Sequence, residues 1–231
     1  MSGTRSVSLI CFDLVGLVIH DSVVERAFAE AIAAQGIVSG TQSYTRAMVK
    51  FDRARGRPPA DVMRELFDEN DVQAMVATLA FDRSFRAAAE RFAIATPPGF
   101  VDALGKFSGT DVRVCLVTTL SRGACGPLVY QISQQRVADL VLCADDAPRG
   151  YPWPDLVLTA MLRTGAGDVR EVAVVSATES GVQSGQRAGA GMVVGIADGS
   201  RRAAALRQAG ATHVADGVDA IPELVLSSGT A

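Results

Sequence analysis

Lysine is nearly absent from this chain. Of its 22 basic residues only Lys50 and Lys106 are lysines, and the rest are arginines. Arginine stays protonated and hardly forms an imine, so lysine-dependent chemistry has just two places to reside. Histidine is equally scarce, with His20 and His213 alone. The four cysteines, Cys11, Cys115, Cys125 and Cys143, contain no CxxC pair. Zinc sites need tighter Cys/His clustering, so zinc is set aside. Cys11, Cys115 and Cys143 lie in apolar runs, where reduced thiols pack as small hydrophobes. No run reaches the ~18 apolar residues of a membrane span. The N-terminal apolar run stops at Asp13, too early for a signal peptide. A net charge of -3 supplies no basic field for nucleic acid or anionic lipid. A cytoplasmic protein is expected, with no nucleic-acid or membrane partner.

What is present is a chain of 231 residues, 48% hydrophobic, long enough to bury a sizeable core. Six short Val/Ile/Leu-rich runs stand out: Ser6–Phe12, Val112–Thr118, Ala138–Cys143, Glu171–Ser176, Met192–Ile196 and Thr212–Val214. Continuous runs of this kind suit strands buried on both faces of a parallel sheet. Between the later ones lie helix-like segments at Gly123–Gln135, Asp155–Arg163, Gly181–Ala188 and Ser200–Gln208. The alternation predicts an α/β fold, a Rossmann-like doubly wound parallel sheet. Residues 21–96 carry no strand pattern. They read as helices at Asp21–Ala34, Gln42–Ala54, Ala60–Phe67, Val72–Thr78 and Arg83–Ala93, the last with a Phe85, Ala88, Ala89, Phe92 stripe. Thr96-Pro97-Pro98-Gly99 then breaks the pattern. The expected division is a core of residues 1–20 plus 97–231 and an all-helical insert of 21–96. Residues 227–231 are expected to fray.

Ligands of open α/β sheets bind outside the carboxyl ends of the strands. Asp13, at the end of the first run and ahead of Gly16, therefore reads either as a nucleophile or as a residue that starts a turn. Thr118 and Thr119 end the second run and read as site hydroxyls or as strand-end β formers. Arg122 reads either as a crevice residue or as a solvated helix-start charge, and Asp145 and Asp146 either as a site carboxylate or as a loop and cap pair.

Taken together, the strand ends resemble the haloacid dehalogenase (HAD) superfamily. Phe12-Asp13-Leu14-Val15-Gly16-Leu17 resembles its first motif, Asp-x-Asp-Gly-Thr, and Val117-Thr118-Thr119 its second. Gly150-Tyr151-Pro152-Trp153-Pro154-Asp155 is similar to the third, in which a basic residue precedes Pro-x-Pro-Asp. Val175-Ser176-Ala177-Thr178-Glu179-Ser180-Gly181 occupies the fourth, Val-Gly-Asp-Thr-x-x-Asp. Gln183–Val194 is similar to the family's Ala-Gly-x-x-Ala-Gly-Met stretch, and the helical insert matches its cap domain. Asp13-Leu14-Val15-Gly16 most resembles the phosphonoacetaldehyde hydrolase-like branch, which also lacks the second Asp of the first motif.

The resemblance implies an aspartyl nucleophile at Asp13, but most of the supporting residues depart from it. Val15 cannot transfer a proton where the family has an acid/base Asp. Leu17 replaces a Thr, and Tyr151 replaces the Lys or Arg of the third motif. Ala177 and Gly181 replace the two carboxylates of the fourth. Mg²⁺ needs hard oxygen ligands, so no metal or other cofactor is expected. Glu179 or Asp146 would have to stand in, and Glu179 is out of register. The Schiff-base lysine of the phosphonatase cap aligns near Pro59; Lys50 lies nine residues earlier, and Arg57 cannot replace it.

The resulting expectation is non-standard chemistry: Asp13 as a metal-independent nucleophile on a small substrate, with Mg²⁺-dependent phosphatase and Schiff-base phosphonatase activities both disfavoured. The alternative is an inactive relative that binds a ligand or a partner. The candidate residues are Asp13, Thr118 and Thr119 for chemistry and Gly16, Arg57, Tyr151 and Trp153 for ligand binding. The expected partners are a small molecule in the crevice beneath the insert, and a second copy or another protein.

Overall fold

The computed structural model of the protein describes residues 6–68, 70–92 and 98–227. The first strand, β1 (Leu9–Asp13), is buried along its whole length. The helices α1 (Asp21–Ala33), α2 (Gln42–Arg53), α3 (Pro59–Leu66) and α4 (Asp71–Phe92) follow it. The chain continues through α5 (Pro98–Gly105), β2 (Arg113–Val117), α6 (Arg122–Gln134), β3 (Leu140–Leu142) and α7 (Asp155–Thr164). It ends with β4 (Val172–Ser176), α8 (Glu179–Ala188), β5 (Met192–Ile196), α9 (Ser200–Ala209), β6 (His213–Ala215) and α10 (Ile221–Ser227).

The six expected strands form one sheet in the order β3-β2-β1-β4-β5-β6, every neighbouring pair parallel. This is a doubly wound, Rossmann-like order, with its reversal at β1. Asp13 pairs in register with Val117 of β2, and Phe12 with Val175 of β4. The carboxyl ends of β1, β2 and β4 therefore converge on one crevice. Cys11, Cys115 and Cys143 are free and buried, as their apolar runs predict, and so is Cys125.

The inserted helices lie over that crevice. Phe28 of α1 stacks on Phe51 of α2 with ring centroids 4.3 Å apart. The helices expected at Val72–Thr78 and Arg83–Ala93 are in fact one, α4. Ala74, Ala77, Phe81, Phe85 and Ala89 are buried at 3/4 spacing straight through the supposed gap, which contains no Gly or Pro. Pro98 starts a helix rather than ending one, because proline fits a first helical turn, where its missing N–H is not needed. The break at Thr96-Pro97, the return to the core near Pro97, the side chain of Phe92 and residues 228–231 lie outside the described residues.

Candidate functional site

β1 delivers Asp13 to the crevice and stops, because Leu14 N–H donates to Val117 O at 2.8 Å and the chain turns. The turn needs Gly16 twice over. Its φ is +84°, and a Cβ there would lie 2.7 Å from the Cβ of Ala177.

Asp13 is only 1% exposed. Its Oδ1 accepts from the Val15 N–H at 3.2 Å. Its Oδ2 accepts from the Ser176 hydroxyl at 2.8 Å and the Thr178 hydroxyl at 3.4 Å. Each of these donors is neutral. Burial raises the carboxyl from its ordinary 3.8 to about 7. The Ser176, Val15 and Thr178 bonds oppose that rise, and the nearby Asp21 charge adds to it. Asp13 is thus a carboxyl poised between its two protonation states at neutral pH.

Ser176 is the site residue that motif reading missed. It stands where the fourth motif has Gly, and that substitution was its visible signal. Its Oγ also accepts from Thr178 N–H at 3.0 Å, which holds the β4–α8 turn. Thr178 caps α8 by accepting from Gly181 N–H at 3.2 Å. A Cβ at Gly181 would lie 2.2 Å from Ser176 Oγ and 3.0 Å from Asp13 Oδ2. The Ser176 hydroxyl therefore fills the space into which a fourth-motif carboxylate would project.

This donor set does not fit the family's Mg²⁺. Val15, Ala177 and Gly181 offer no side-chain oxygen, and the hydroxyls of Ser176 and Thr178 are bonded to Asp13. The stand-ins are placed elsewhere. Asp146 accepts from Arg122 at 2.6 Å and Arg163 at 2.9 Å, and Glu179 is exposed. Arg122 is half exposed, as a surface charge should be, but ion-paired. Among the described residues no three His, Cys, Asp or Glu side chains cluster as a metal site.

Thr118 and Thr119 divide their work. Thr118, fully buried, accepts from Leu120 N–H at 3.2 Å and shapes the turn after β2. Thr119 donates to Gly56 O, at 2.9 Å, in the turn between α2 and α3. Ser180 donates to the neighbouring Arg55 O at 2.7 Å. A Cβ on Gly56, whose φ is +81°, would come within 2.5 Å of Thr178 Oγ1 and 2.4 Å of Ser180 Oγ. The 55–57 turn is therefore seated directly on the strand ends. Gly56→Ala is expected to lift it, at a cost of about 1–3 kcal/mol. Hydrogen exchange reads this as faster exchange at residues 55–57 and 178–181; unchanged rates would show that the turn bears no such contact.

Beside this seat is a cavity of about 440 Å³. Its walls are mostly apolar, with Val15 and Leu120 from the strand ends and Val24, Tyr44, Met48 and Phe51 from α1 and α2. Thr119, Asp21 and three arginines, Arg53, Arg55 and Arg57, also line it. Asp21, the first residue of α1, was not singled out from sequence. Its Oδ2 accepts from Arg55 at 2.7 Å, while its Oδ1 is buried without a hydrogen-bond partner among the described residues. Only its eight-residue distance from Asp13, at the start of the insert, hinted at such a role.

The remaining candidates are dispersed. Arg57 lines the cavity but is ion-paired with Glu65, whose carboxyl it holds below its usual range. Tyr151 is 1% exposed and packs with Leu9, Cys11, Cys115 and Val117 beneath the site. Burial pushes its phenol well up, and the Asp13 charge adds to that push. Trp153 is 45% exposed and lies outside the 440 Å³ cavity, stacked between Arg149 and Arg187 at 4.5 and 5.1 Å.

Known proteins share this fold. A phosphonoacetaldehyde hydrolase of Pseudomonas entomophila is 26% identical over 154 residues, covering 65% of this chain and 51% of that protein. The chain thus spans about half the length of the curated relatives it matches. A hydrolase from Pseudomonas syringae superposes with a TM-score of 0.74 at 23% identity, over 94% of this chain and 97% of that one. A phosphonoacetaldehyde hydrolase-like protein from Oleispira antarctica gives 0.72 at 19% identity, over 100% and 95%. These likenesses carry the fold, while the sequence pattern of haloacid dehalogenase-like hydrolases matches residues 10–194 directly. The chain belongs to the haloacid dehalogenase-like hydrolase family.

Proposed function

We propose that this protein is a metal-independent hydrolase in which Asp13 attacks a small, largely apolar substrate at an electrophilic carbon. The observation that carries this reading is the neutral hydroxyl pair, Ser176 and Thr178, bonded to Asp13 Oδ2. These hydroxyls hold the carboxylate without a cation. A phosphoryl substrate would meet the Asp13 charge with none of its hydrogen-bond donors positive, which disfavours phosphoryl transfer. A neutral carbon centre meets no such repulsion.

Oδ1, held by one N–H alone, is the freer oxygen. Its attack forms an ester to the substrate carbon as the leaving group departs with the bonding electrons. Water then cleaves the ester, giving an alcohol and a proton and returning the carboxylate. Asp21 supplies an acceptor for that proton, since its Oδ1 has no other partner among the described residues. The mostly apolar cavity accommodates the substrate body.

The test is turnover of small haloalkanes, which release halide and an alcohol, with a chelator present. Activity should persist, rise with pH through about 7 as Asp13 ionises, and vanish in Asp13→Asn. Loss of activity with the chelator, or a fully active Asp13→Asn, would overturn the proposal. One observation favours a second reading, a ligand-binding protein without turnover. Asp13 is 1% exposed, with the 55–57 turn seated on the same strand ends. Thermal stabilisation by the same compounds without turnover would support it.

A further inference from the structure

Two of the four cysteines meet beside the site. Cys125 is in α6 and Cys143 directly follows β3, and their sulfurs are 3.6 Å apart. Both are buried and free, and the chemistry proposed at Asp13 uses neither. A disulfide holds its sulfurs at about 2.05 Å, so these two stand about 1.5 Å from bonding distance. Their surroundings favour reaction over inert packing. The Cys125 contact and the Arg122 guanidinium hold the Cys143 thiol below its ordinary value, against the effect of burial. The same contact, together with burial, pushes the Cys125 thiol up. Arg122 is fixed there by Asp146 Oδ2, which accepts from the guanidinium at 2.6 Å and from the Cys143 N–H at 2.8 Å. A thiol lowered by a neighbouring cation and touching a second thiol has the makings of a redox-active pair. Cys11 and Cys115 also face each other, in register on β1 and β2, but the Cys11 contact and burial push the Cys115 thiol well up.

We propose that Cys125 and Cys143 are a redox modification site, forming a reversible disulfide with a peroxide as oxidant, and that this bond loosens the turn on which the insert is seated. The Cys143 thiolate attacks one peroxide oxygen; the S–O bond forms as the O–O bond breaks, and hydroxide leaves. The Cys125 sulfur then attacks the Cys143 sulfur. The S–S bond forms as the S–O bond breaks, and the departing oxygen takes the Cys125 proton and leaves as water. Two electrons pass from the sulfurs to the peroxide. Hydrogen peroxide is small and neutral, which suits buried sulfurs that a bulky disulfide oxidant cannot reach. The path to the site is short. Cys125 Sγ lies 3.1 Å from Ser121 O, and a disulfide has no S–H to donate there. Ala144, next to Cys143, donates its N–H to Leu120 O at 3.0 Å. Both bonds hold the segment after β2, in which Thr119 donates to Gly56 O and Leu120 lines the cavity. Oxidation therefore removes a hold on the strand end to which the 55–57 turn is tied.

Peptide mapping of the folded full chain tests this. After treatment with hydrogen peroxide, free thiols are alkylated and the protein is cut with trypsin. The cuts place Cys11 in residues 6–26, Cys115 in 114–122, Cys125 in 123–136 and Cys143 in 137–149. Residues 123–136 linked to 137–149 should be the main oxidised product, and dithiothreitol should remove it. Hydrogen exchange at 119–121 and 55–57 should be about threefold or more faster in the oxidised chain, as the loss of one hydrogen bond implies, and should recover on reduction. Cys143→Ala should lose both responses, and Cys11→Ala should keep both. Thermal melts identify a variant that fails to fold, and the wild-type map then decides alone. A wild-type chain left reduced by peroxide overturns the proposal. So does Cys143 carried on to a sulfinic acid without the link, or a link between the Cys11 and Cys115 peptides in its place. A linked protein with unchanged exchange at 119–121 and 55–57 overturns it equally.

Discussion

Asp13→Asn should be more stable than the wild-type protein at pH 8, by about 2–4 kcal/mol. The argument is one of linkage. Asp13 titrates near 7 in the folded protein and near 3.9 when unfolded. Between those values the native state binds more protons than the unfolded one, so stability falls as pH rises. The contribution is complete below about 4 and gone above about 7. Roughly three pH units at 1.36 kcal/mol each set a ceiling of about 4 kcal/mol. Asn carries no charge to bury, and its amide can keep the Val15 N–H bond and donate to Ser176 Oγ. Urea unfolding from pH 4 to 9 checks this. The wild-type midpoint should drop across that interval while the variant's stays nearly flat. A variant less stable at pH 8 would mean that the hydroxyl pair over-compensates the burial. The same substitution abolishes turnover if the proposed chemistry is right, so stability and activity should move in opposite directions. That opposition is the mark of a functional residue rather than a packing one.

Gly181→Asp should be the most damaging change at the site, although it restores a carboxylate that the family has. Its Cβ would lie 2.2 Å from Ser176 Oγ and 3.0 Å from Asp13 Oδ2. The new charge would sit beside a carboxyl that already resists ionising. A loss of about 3–5 kcal/mol is expected from overlap and charge burial together. The corollary concerns order of replacement. Val15→Asp, Ala177→Asp and Gly181→Asp together should still give no Mg²⁺ response. Adding Ser176→Gly clears the overlap, and Mg²⁺ should then raise the melting temperature. Phosphatase activity should stay absent even so, because Tyr151 still replaces the third-motif cation. A Mg²⁺-dependent rise in melting temperature without Ser176→Gly would show that Ser176 does not occupy the metal's space.

Much of this architecture was legible in the residues. The six strands announced themselves because a parallel sheet is buried on both faces, which leaves runs such as Val172–Ser176 with no polar alternation. The inserted helices were legible as helices, but α4 read as two, since its buried Phe81 and Phe85 stagger with exposed Leu79 and Arg83. α5 and α10 were missed. Each carries a proline in its first turn, Pro98 and Pro222, which resembles a stop from sequence and is a start in three dimensions. The site divides in the same way. Asp13 was visible because its neighbours in sequence mark it. Ser176 and Asp21 were not, because their meaning lies in contacts with a residue far away or in a turn that closes from above. The hydroxyl network that replaces the family's charges exists only after β1 and β4 lie side by side.

That adjacency has a consequence for the newly made chain. β1 is the third strand of the sheet but the first to leave the ribosome, and Asp13 precedes Ser176 by 163 residues. At about 5–20 residues per second the two are separated by roughly 8–30 s of synthesis. Throughout that interval one edge of Leu9–Asp13, among the most apolar segments of the chain, has no β4 to pair with. The inserted helices, complete long before β4, sit at the carboxyl ends of the strands and leave that edge open. The nascent chain therefore presents an unpaired strand edge to its neighbours until β4 is made, and that window is when aggregation is the hazard.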